Sequence, residues 1–289
     1  MQSLQGIKRR MGTLGSLKGI VGSMKSMSQA YATGFERSSA SLSAYLKNVE
    51  LALRATLAYF PLPETRPAEP ARATAIIIGS DTGLVGRFNK SLLSFVDGWM
   101  RERHISQESV DSIVCGRALG ARFDGKPSAF FNMPRQTGAL ALAASEIIIA
   151  LGDRDFIGTR QSAVLFFNKK REGAFRPEAR EILPIDLHTL DRIRKHPWPS
   201  RNIPMTYGDA AKMLSSLLRQ YLFLSVYRAL SASLAAEHFA RAAAMSQAED
   251  NIEEHLDTLS SEYRTRRQEE ITSELIDVVT GFKVISSAQ

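Results

Sequence analysis

Residues 230–285 read LSASLAAEHFARAAAMSQAEDNIEEHLDTLSSEYRTRRQEEITSELIDVVTGFKVI, and this stretch decides the fold of the chain. From Thr206 to Ile285 there is no proline, and the only glycines are Gly208 and Gly281. Apolar residues recur every three or four positions: Leu230, Leu234, Met245, Ala248, Ile252, Leu256, Leu259, Tyr263, Ile271, Leu275, Val278, Phe282 and Ile285. This spacing predicts one continuous helix with an apolar stripe. About 80 residues would form a rod of roughly 120 Å, which needs another long helix beside it.

Residues 3–58 carry the same helical spacing, with apolar positions at Leu4, Ile7, Met11, Leu14, Met24, Tyr31, Phe35, Leu42, Tyr45, Val49, Leu53 and Leu57. Five glycines in the first 22 residues weaken this helix, since each costs about 1 kcal/mol relative to alanine. We therefore expect a partner helix to hold it, and we expect the glycines to allow close approach of the partner's backbone. Two long helices at opposite ends of one chain imply an antiparallel pair, of residues 4–57 with 206–285.

The segment between the helices alternates strand and helix signals. Strands are predicted at 73–79, 111–116 and 162–168, with a fourth at 175–185 that contains Pro177 and Pro184 and therefore belongs at an edge. Helices are predicted at 90–102 and 138–151, and the alternation indicates a mainly parallel sheet. The proline-rich run PLPETRPAEPAR, residues 61–72, predicts an extended linker, and the prolines of 196–204 end the domain.

The predicted fold class is α/β, with a long antiparallel coiled coil of the N- and C-terminal helices and an inserted α/β domain. The predicted boundaries are 1–60 for the first helix, 61–204 for the globular domain and 205–289 for the second helix.

Composition narrows the function classes. The 289 residues are 44% hydrophobic and 23% charged, which is typical of a globular protein and excludes disorder over most of the length. No apolar run reaches the length of a membrane span, and MQSLQGIKRR lacks the apolar block of a signal peptide, so we expect a cytosolic chain. The net charge of +7 favours an acidic partner. The single cysteine, Cys115, follows Val114 in an apolar run and is predicted to be buried.

No catalytic centre is predicted. The glycine-rich loop 79–89 (GSDTGLVGRFN) follows a strand, but it has neither the GxGxxG nor the GxxxxGK[ST] spacing, so a turn with local Asx bonds is favoured over a phosphate site. The five histidines lack ligand spacing, so neither a metal nor a cofactor is expected. Basic residues of the first helix have no interleaved aromatics, which favours a protein partner over nucleic acid.

Three blocks of residues resemble one family. The run Glu237-His-x-x-Arg241-x-x-Ala244-Met245-x-x-Ala248-x-x-Asn251, followed by Arg266-Arg267-Gln268-x-x-Ile271-Thr272-x-Glu274, closely resembles the signature of the gamma subunit of F-type ATP synthase. The opening helix, with Ile7-x-Arg9-Arg10-Met11 and Met24-Lys25-x-Met27, is similar to that family more loosely. The loop Ser80-Asp81-x-Gly83-Leu84-x-Gly86 is also similar to the family's loop after the first strand.

This resemblance implies a central-stalk subunit that transmits torque between the c-ring and the catalytic alpha/beta hexamer. It implies alpha, beta, epsilon and c subunits as partners, no nucleic acid, and a peripheral place on the cytoplasmic face of a bacterial inner membrane.

The resemblance also implies contact residues. Arg267, Gln268 and Thr272 match the shaft residues that touch beta-subunit catch loops. Met24 and Lys25 match the part of the shaft that faces the acidic lever of beta. The loop residues Ser80, Asp81, Gly83 and Gly86 match the loop that packs near the base of the hexamer.

Two other classes of function remain open from the residues alone. One is a coiled-coil adaptor or nucleic-acid-binding protein, and the other is a nucleotide-binding enzyme that uses the loop 79–89.

Overall fold

A computed structural model describes residues 3–58, 72–106, 109–152, 161–185, 187–198, 202 and 208–286. The predicted linker, up to residue 71, and most of the segment 196–204 lie outside this part of the chain. The chain divides into two compact units. We call Ser28–Arg241 the sheet unit, and Met1–Met27 with Ala242–Gln289 the helix unit. The predicted domain boundaries at 60 and 204 stay a prediction.

The elements follow one another in the order α1 (Leu4–Leu57), β1 (Arg72–Ile78), α2 (Phe88–Glu102), β2 (Val110–Cys115), α3 (Arg117–Gly120), β3 (Ala129–Phe131), α4 (Leu140–Leu151), β4 (Gln161–Arg171), β5 (Ala174–Leu183), α5 (Leu187–Lys195) and α6 (Ala210–Ser286). The 77-residue α6 begins where Asp209 caps it, since its Oδ1 accepts the backbone N–H of Ala211 at 2.9 Å. None of the described helices is both long and apolar enough to cross a membrane.

The five strands form one mixed sheet in the order β3-β2-β1-β4-β5. All neighbouring pairs are parallel except β4 with β5, which are antiparallel. Residues 75–78 of the central strand β1 are all apolar, as is typical of a strand that is covered on both faces. The fourth predicted strand is confirmed as an edge strand, where Pro177 needs no ladder hydrogen bond. The sequence missed β3, α3 and α5.

Two apolar cores lie on opposite faces of the sheet. Ile76 and Ile78 of β1 face one core, which they share with α4, α5 and parts of α1 and α6. Ala75 and Ile77 face the other core, which α2 covers with Leu92, Val96 and Met100. The period-2 alternation of the strand thus sends successive side chains to different layers. Cys115 is buried, as predicted.

Within the sheet unit, α1 and α6 run antiparallel. Ser231 Oγ donates to the Phe35 carbonyl at 2.7 Å, the Ser38 and Tyr227 hydroxyls are 2.8 Å apart, and the Tyr45 hydroxyl donates to Gln220 at 3.1 Å. Residue numbers rise along one helix as they fall along the other, which confirms the predicted antiparallel pair in this unit.

Within the helix unit, Lys18 and Lys25 of α1 form ion pairs with Glu253 and Glu249 of α6. The order is again antiparallel. The predicted pairing nevertheless stops short of residue 285, because every side chain from Arg267 to Thr280 is exposed.

The prediction that the α1 glycines admit a closely packed backbone is wrong within this chain. A Cβ placed on Gly12, Gly15 or Gly19 would meet no atom of the described residues within 4 Å. At Gly22 it would meet only the Glu249 carboxylate, at 3.8 Å. The glycine-rich face of α1 is therefore open to the surroundings of the helix unit.

Candidate functional site

The loop 79–89 is held by its own side chains. Asn89, at the start of α2, accepts the Ser80 backbone N–H at 3.0 Å and donates to Ser80 Oγ at 2.8 Å. Ser80 Oγ in turn donates to the Thr82 carbonyl at 2.9 Å. The bonds that hold this loop therefore come from Asn89, nine residues from Ser80, and not from the local Asx bonds that the sequence predicts. The Ser80 N–H and side chain are already used inside the chain, so they offer nothing to a bound phosphate.

Asp81 ties the same loop to α3. The Arg117 guanidinium donates to Asp81 at 3.0 and 3.2 Å, and the Arg117 backbone N–H donates at 3.1 Å. Burial raises the pKa of Asp81, but these bonds outweigh burial and hold its pKa below the ordinary value. The close approach requires glycine at Gly116, whose φ is +108° and where a Cβ would lie 2.5 Å from the Ser80 carbonyl oxygen. Gly86 has a positive φ of 57°, while Gly83 is exposed with open space around it.

A second polar cluster joins the tip of this loop to α6. One nitrogen of the Arg241 guanidinium lies 2.6 Å from Thr82 Oγ1 and 2.6 Å from Glu237 Oε1. The other terminal nitrogen lies 3.2 Å from His238 Nδ1. Both charged side chains are buried, and Glu237 Oε2 has no hydrogen-bond partner among the described residues. Beside them, Val85 and Phe88 of the loop pack on Ala236 and Ala240 of α6.

The pKa values of this cluster are displaced by burial. Desolvation raises the pKa of Glu237 to about 7, with Arg241 lowering it and Asp81 raising it further. Desolvation, with a smaller contribution from Arg241, lowers the pKa of His238 to about 4. The neutral imidazole stacks on Phe35 with ring centroids 5.7 Å apart. Its Nδ1 therefore accepts from Arg241, which places the ring proton on Nε2.

The predicted contact residues at the end of α6 have a simpler environment. Arg267, Gln268 and Thr272 are exposed, and among the described residues the only side-chain hydrogen bond of Thr272 runs from its hydroxyl to the Gln268 carbonyl at 2.8 Å. The apolar residues that follow are exposed as well, with Leu275 at 60% and Ile276 at 58%.

Met24 and Lys25 lie in the helix unit and are half-buried. The Lys25 ammonium lies 2.9 Å from the Glu249 carboxylate, so its charge has a partner within the chain.

The sequence missed Arg117 and the roles of Glu237, His238 and Arg241. Their partners lie 36 residues away for Arg117 and 159 residues away for Arg241, so no local spacing could reveal them. Glu237 and Arg241 did carry a signal, as two charged residues four apart on the face of α6 that is otherwise apolar. Over the part of the chain that the structure describes, no three His, Cys, Asp or Glu side chains cluster as metal ligands.

Comparison with known proteins agrees with this architecture. A gamma chain of ATP synthase from Anaeromyxobacter dehalogenans (strain 2CP-C) is 27% identical over 301 residues, covering 99% of this chain and all of the relative. Another, from Bdellovibrio bacteriovorus, is 29% identical over 217 residues and covers 73% of each chain.

Solved structures share the fold. A chain of the mitochondrial ATP synthase of Euglena gracilis (OSCP/F1/c-ring, rotational state 3) superimposes with a TM-score of 0.66 at 13% identity, over 99% of this chain and 95% of that one. A central-stalk/c-ring structure of the Tetrahymena thermophila mitochondrial enzyme gives 0.53 at 17% identity, over 79% and 99%. The family model described as ATP synthase matches residues 3–285. The match spans nearly the whole sequence, so the chain belongs to this family, as one of its gamma chains.

Proposed function

We propose that this chain is the rotor subunit of a bacterial ATP synthase, and that it carries torque between the c-ring and the catalytic alpha/beta hexamer during ATP synthesis or hydrolysis. Its partners are the alpha and beta subunits, the epsilon subunit and the c-ring. It is peripheral to the cytoplasmic face of the inner membrane and is held there by the complex. The relatives reported above give no support to an adaptor or a nucleic-acid-binding role.

The observation that carries this proposal is the uncovered end of α6. Exposed apolar side chains stand at Ile271, Leu275, Ile276, Val278 and Val279, with polar residues between them. A helix of this kind is stable in a cell when another surface surrounds it, because large contiguous apolar patches on a monomer mark interaction sites. The sleeve of an alpha/beta hexamer would supply such a surface on all sides.

The finer part of the proposal concerns Arg267, Gln268 and Thr272. Gln268 and Thr272 are four residues apart, so they lie on the same side of α6. The Arg267 guanidinium and the Gln268 amide are exposed and can bind loops of a beta subunit. Contacts that differ between catalytic states change rate more than they change assembly.

We also propose that the chain is non-catalytic. Ser80 and Asp81 of the glycine-rich loop 79–89 are bonded to Asn89 and Arg117, which supports a structural loop. The loop also has no lysine at the position that a phosphate-binding loop requires.

The test is the triple variant R267A/Q268A/T272A, reconstituted with alpha, beta and epsilon subunits. We expect the complex to assemble while its ATPase turnover falls severalfold. The matched control is R264A/T265A, which removes an exposed arginine and an exposed threonine from the same helix. Equal turnover in the triple variant and the wild type would refute the contact role, whereas a chain that never co-assembles with alpha and beta would refute the rotor function itself.

A further inference from the structure

The loop 79–89 is attached to α6 through two kinds of contact, both within the sheet unit. The apolar contact places buried Val85 and Phe88 against Ala236 and Ala240. The polar contact runs from Thr82 Oγ1 through the Arg241 guanidinium to Glu237 Oε1, with both distances at 2.6 Å. Thr82 is exposed, whereas Glu237 is 4% and Arg241 8% exposed. The loop tip thus seals two charged side chains from water.

The burial of Glu237 beneath the loop has an energetic cost. Its Oε1 accepts from Arg241, but its Oε2 is buried without a hydrogen-bond partner among the described residues. An unsatisfied oxygen is tolerated far better on a neutral carboxyl than on a carboxylate, because burial penalises the charged form. Opening of the loop would let water reach this oxygen. The closed loop and the protonated acid therefore favour each other.

We propose that Arg241 is a positioning residue that fastens the loop 79–89 to α6, and that the proton on Glu237 keeps this latch closed. The proton acts through solvation: when Glu237 ionises, the loop is released more often because the carboxylate gains water. Thr82 is the side chain that the latch holds at the loop tip.

Near neutral pH the charged groups around Glu237 keep their protonation states, whereas the protonation of Glu237 itself changes. From the loop, the Asp81 carboxylate faces Glu237 and is kept ionised by Arg117. From α6, Arg241 is cationic and His238 is neutral, because the pKa of His238 lies at about 4. The pKa of Glu237 lies at about 7 in the closed loop. If the pKa of Glu237 returns to its ordinary value when the loop opens, the equilibrium constant for loop opening rises about tenfold from pH 6 to pH 8.

Thiol labelling of the full chain tests the latch. In Val85→Cys the new thiol is buried under the closed loop, and in Leu84→Cys it is exposed at the neighbouring position. The ratio of the two labelling rates cancels the intrinsic pH dependence of the thiol and reports loop opening. The natural Cys115 is an internal control, since it is buried, its pKa is raised to about 12, and it reacts only if the chain unfolds.

We expect the labelling ratio to rise about tenfold from pH 6 to pH 8 with the natural latch. Glu237→Gln, which is always neutral, should keep the ratio low at both pH values. Thr82→Val should raise it about tenfold at pH 6, the expected effect of losing one hydrogen bond to a charged group. In each variant, Cys115 should stay slow to react.

Three results would overturn the latch: a ratio that does not change between pH 6 and pH 8, a Glu237→Gln variant that opens, or no effect of Thr82→Val. A closing effect of Glu237→Gln cannot result from misfolding, which keeps the test decisive. Any consequence for rotation rests on the proposed function, but the labelling needs only this chain, so its failure and that of the rotor role are distinguishable.

Discussion

Two stretches of α6 follow the same spacing of apolar residues but lie in opposite environments. Between Leu230 and Arg241 all polar side chains except the half-buried His238 are buried, namely Ser231, Ser233, Glu237 and Arg241. Between Arg267 and Thr280 even the apolar side chains are exposed. The stripe therefore predicts a helix that needs a partner, but it does not tell whether the partner belongs to the same chain. We infer that the first stretch is stabilised by its own fold and the second by another subunit.

The largest effect is expected from a core substitution in the sheet unit. Phe35 is fully buried and stacks on His238, so Phe35→Ala should lower the free energy of unfolding by about 3–5 kcal/mol. Ile276→Ala, on the exposed end of α6, should change it by less than about 0.5 kcal/mol. Denaturant titration of the two variants measures both. A loss above about 2 kcal/mol for Ile276→Ala would show that the end of α6 is stabilised within the chain after all.

The next effect is the pH dependence of the free energy of unfolding, to which two adjacent residues of the first stretch, Glu237 and His238, contribute. The folded pKa of Glu237, about 7, lies above its ordinary value of 4.5, so the stability it contributes is present below pH 4.5 and is lost as pH rises to 7. His238 has the opposite sign: its folded pKa of about 4 lies below 6.5, so stability is gained as pH rises from 4 to 6.5. The two contributions nearly cancel between pH 4.5 and 6.5, which hides both of them in the natural chain.

Single substitutions should expose each contribution. Relative to the natural chain, Glu237→Gln should make the free energy of unfolding rise more steeply from pH 4.5 to 6.5, and His238→Gln should make it fall. Each slope corresponds to about 2–3 kcal/mol across this range. Unfolding curves at several pH values measure the slopes, with Asp250→Asn on the exposed surface of α6 as a control. Slopes of the same sign in both variants would contradict the assignment of opposite pKa shifts.

The comparison also shows what sequence can predict. The sequence predicts β1, β2, β4 and β5 because each has enough apolar residues to show a pattern. It does not predict β3, since Ala129–Phe131 has only three residues and follows Pro127 and other turn residues. The short helix α5 was obscured by prolines on both sides, at Pro184 and Pro197. A single sequence therefore reveals an element when the element is long enough and when its residues differ clearly from the turn residues and prolines that flank it.

The site was harder to predict than the fold. The candidate residues in the loop and on α6 came from motif resemblance, but the resemblance could not show that Arg241 binds Thr82 or that Arg117 binds Asp81. The Arg117–Asp81 contact depends on how the sheet brings the ends of β1 and β2 together, and the Arg241–Thr82 contact depends on how α6 packs against the loop that follows β1. The exposure of Arg267 and Gln268 likewise depends on where α1 begins opposite α6, and no residue of α6 itself encodes that.

The smallest expected change in the free energy of unfolding comes from the glycines of α1. It tests the same comparison between a region that is stabilised by its own chain and a region that needs another subunit. Gly15 lies in a helix, and no atom in the described part of the chain comes within 4 Å of an added Cβ, so Gly15→Ala should raise the free energy of unfolding by about 0.5–1 kcal/mol. Gly116→Ala, in the sheet unit, should instead lower it because of the clash with Ser80. Denaturant titration checks both signs, and a destabilised Gly15→Ala chain would mean that the open face of α1 is already occupied.

If the Gly15→Ala chain is more stable alone yet assembles poorly with alpha and beta subunits, then the space above these glycines is filled by another subunit. The glycines would then be retained, although they destabilise the isolated helix, because another subunit needs a helix face without side chains at these positions.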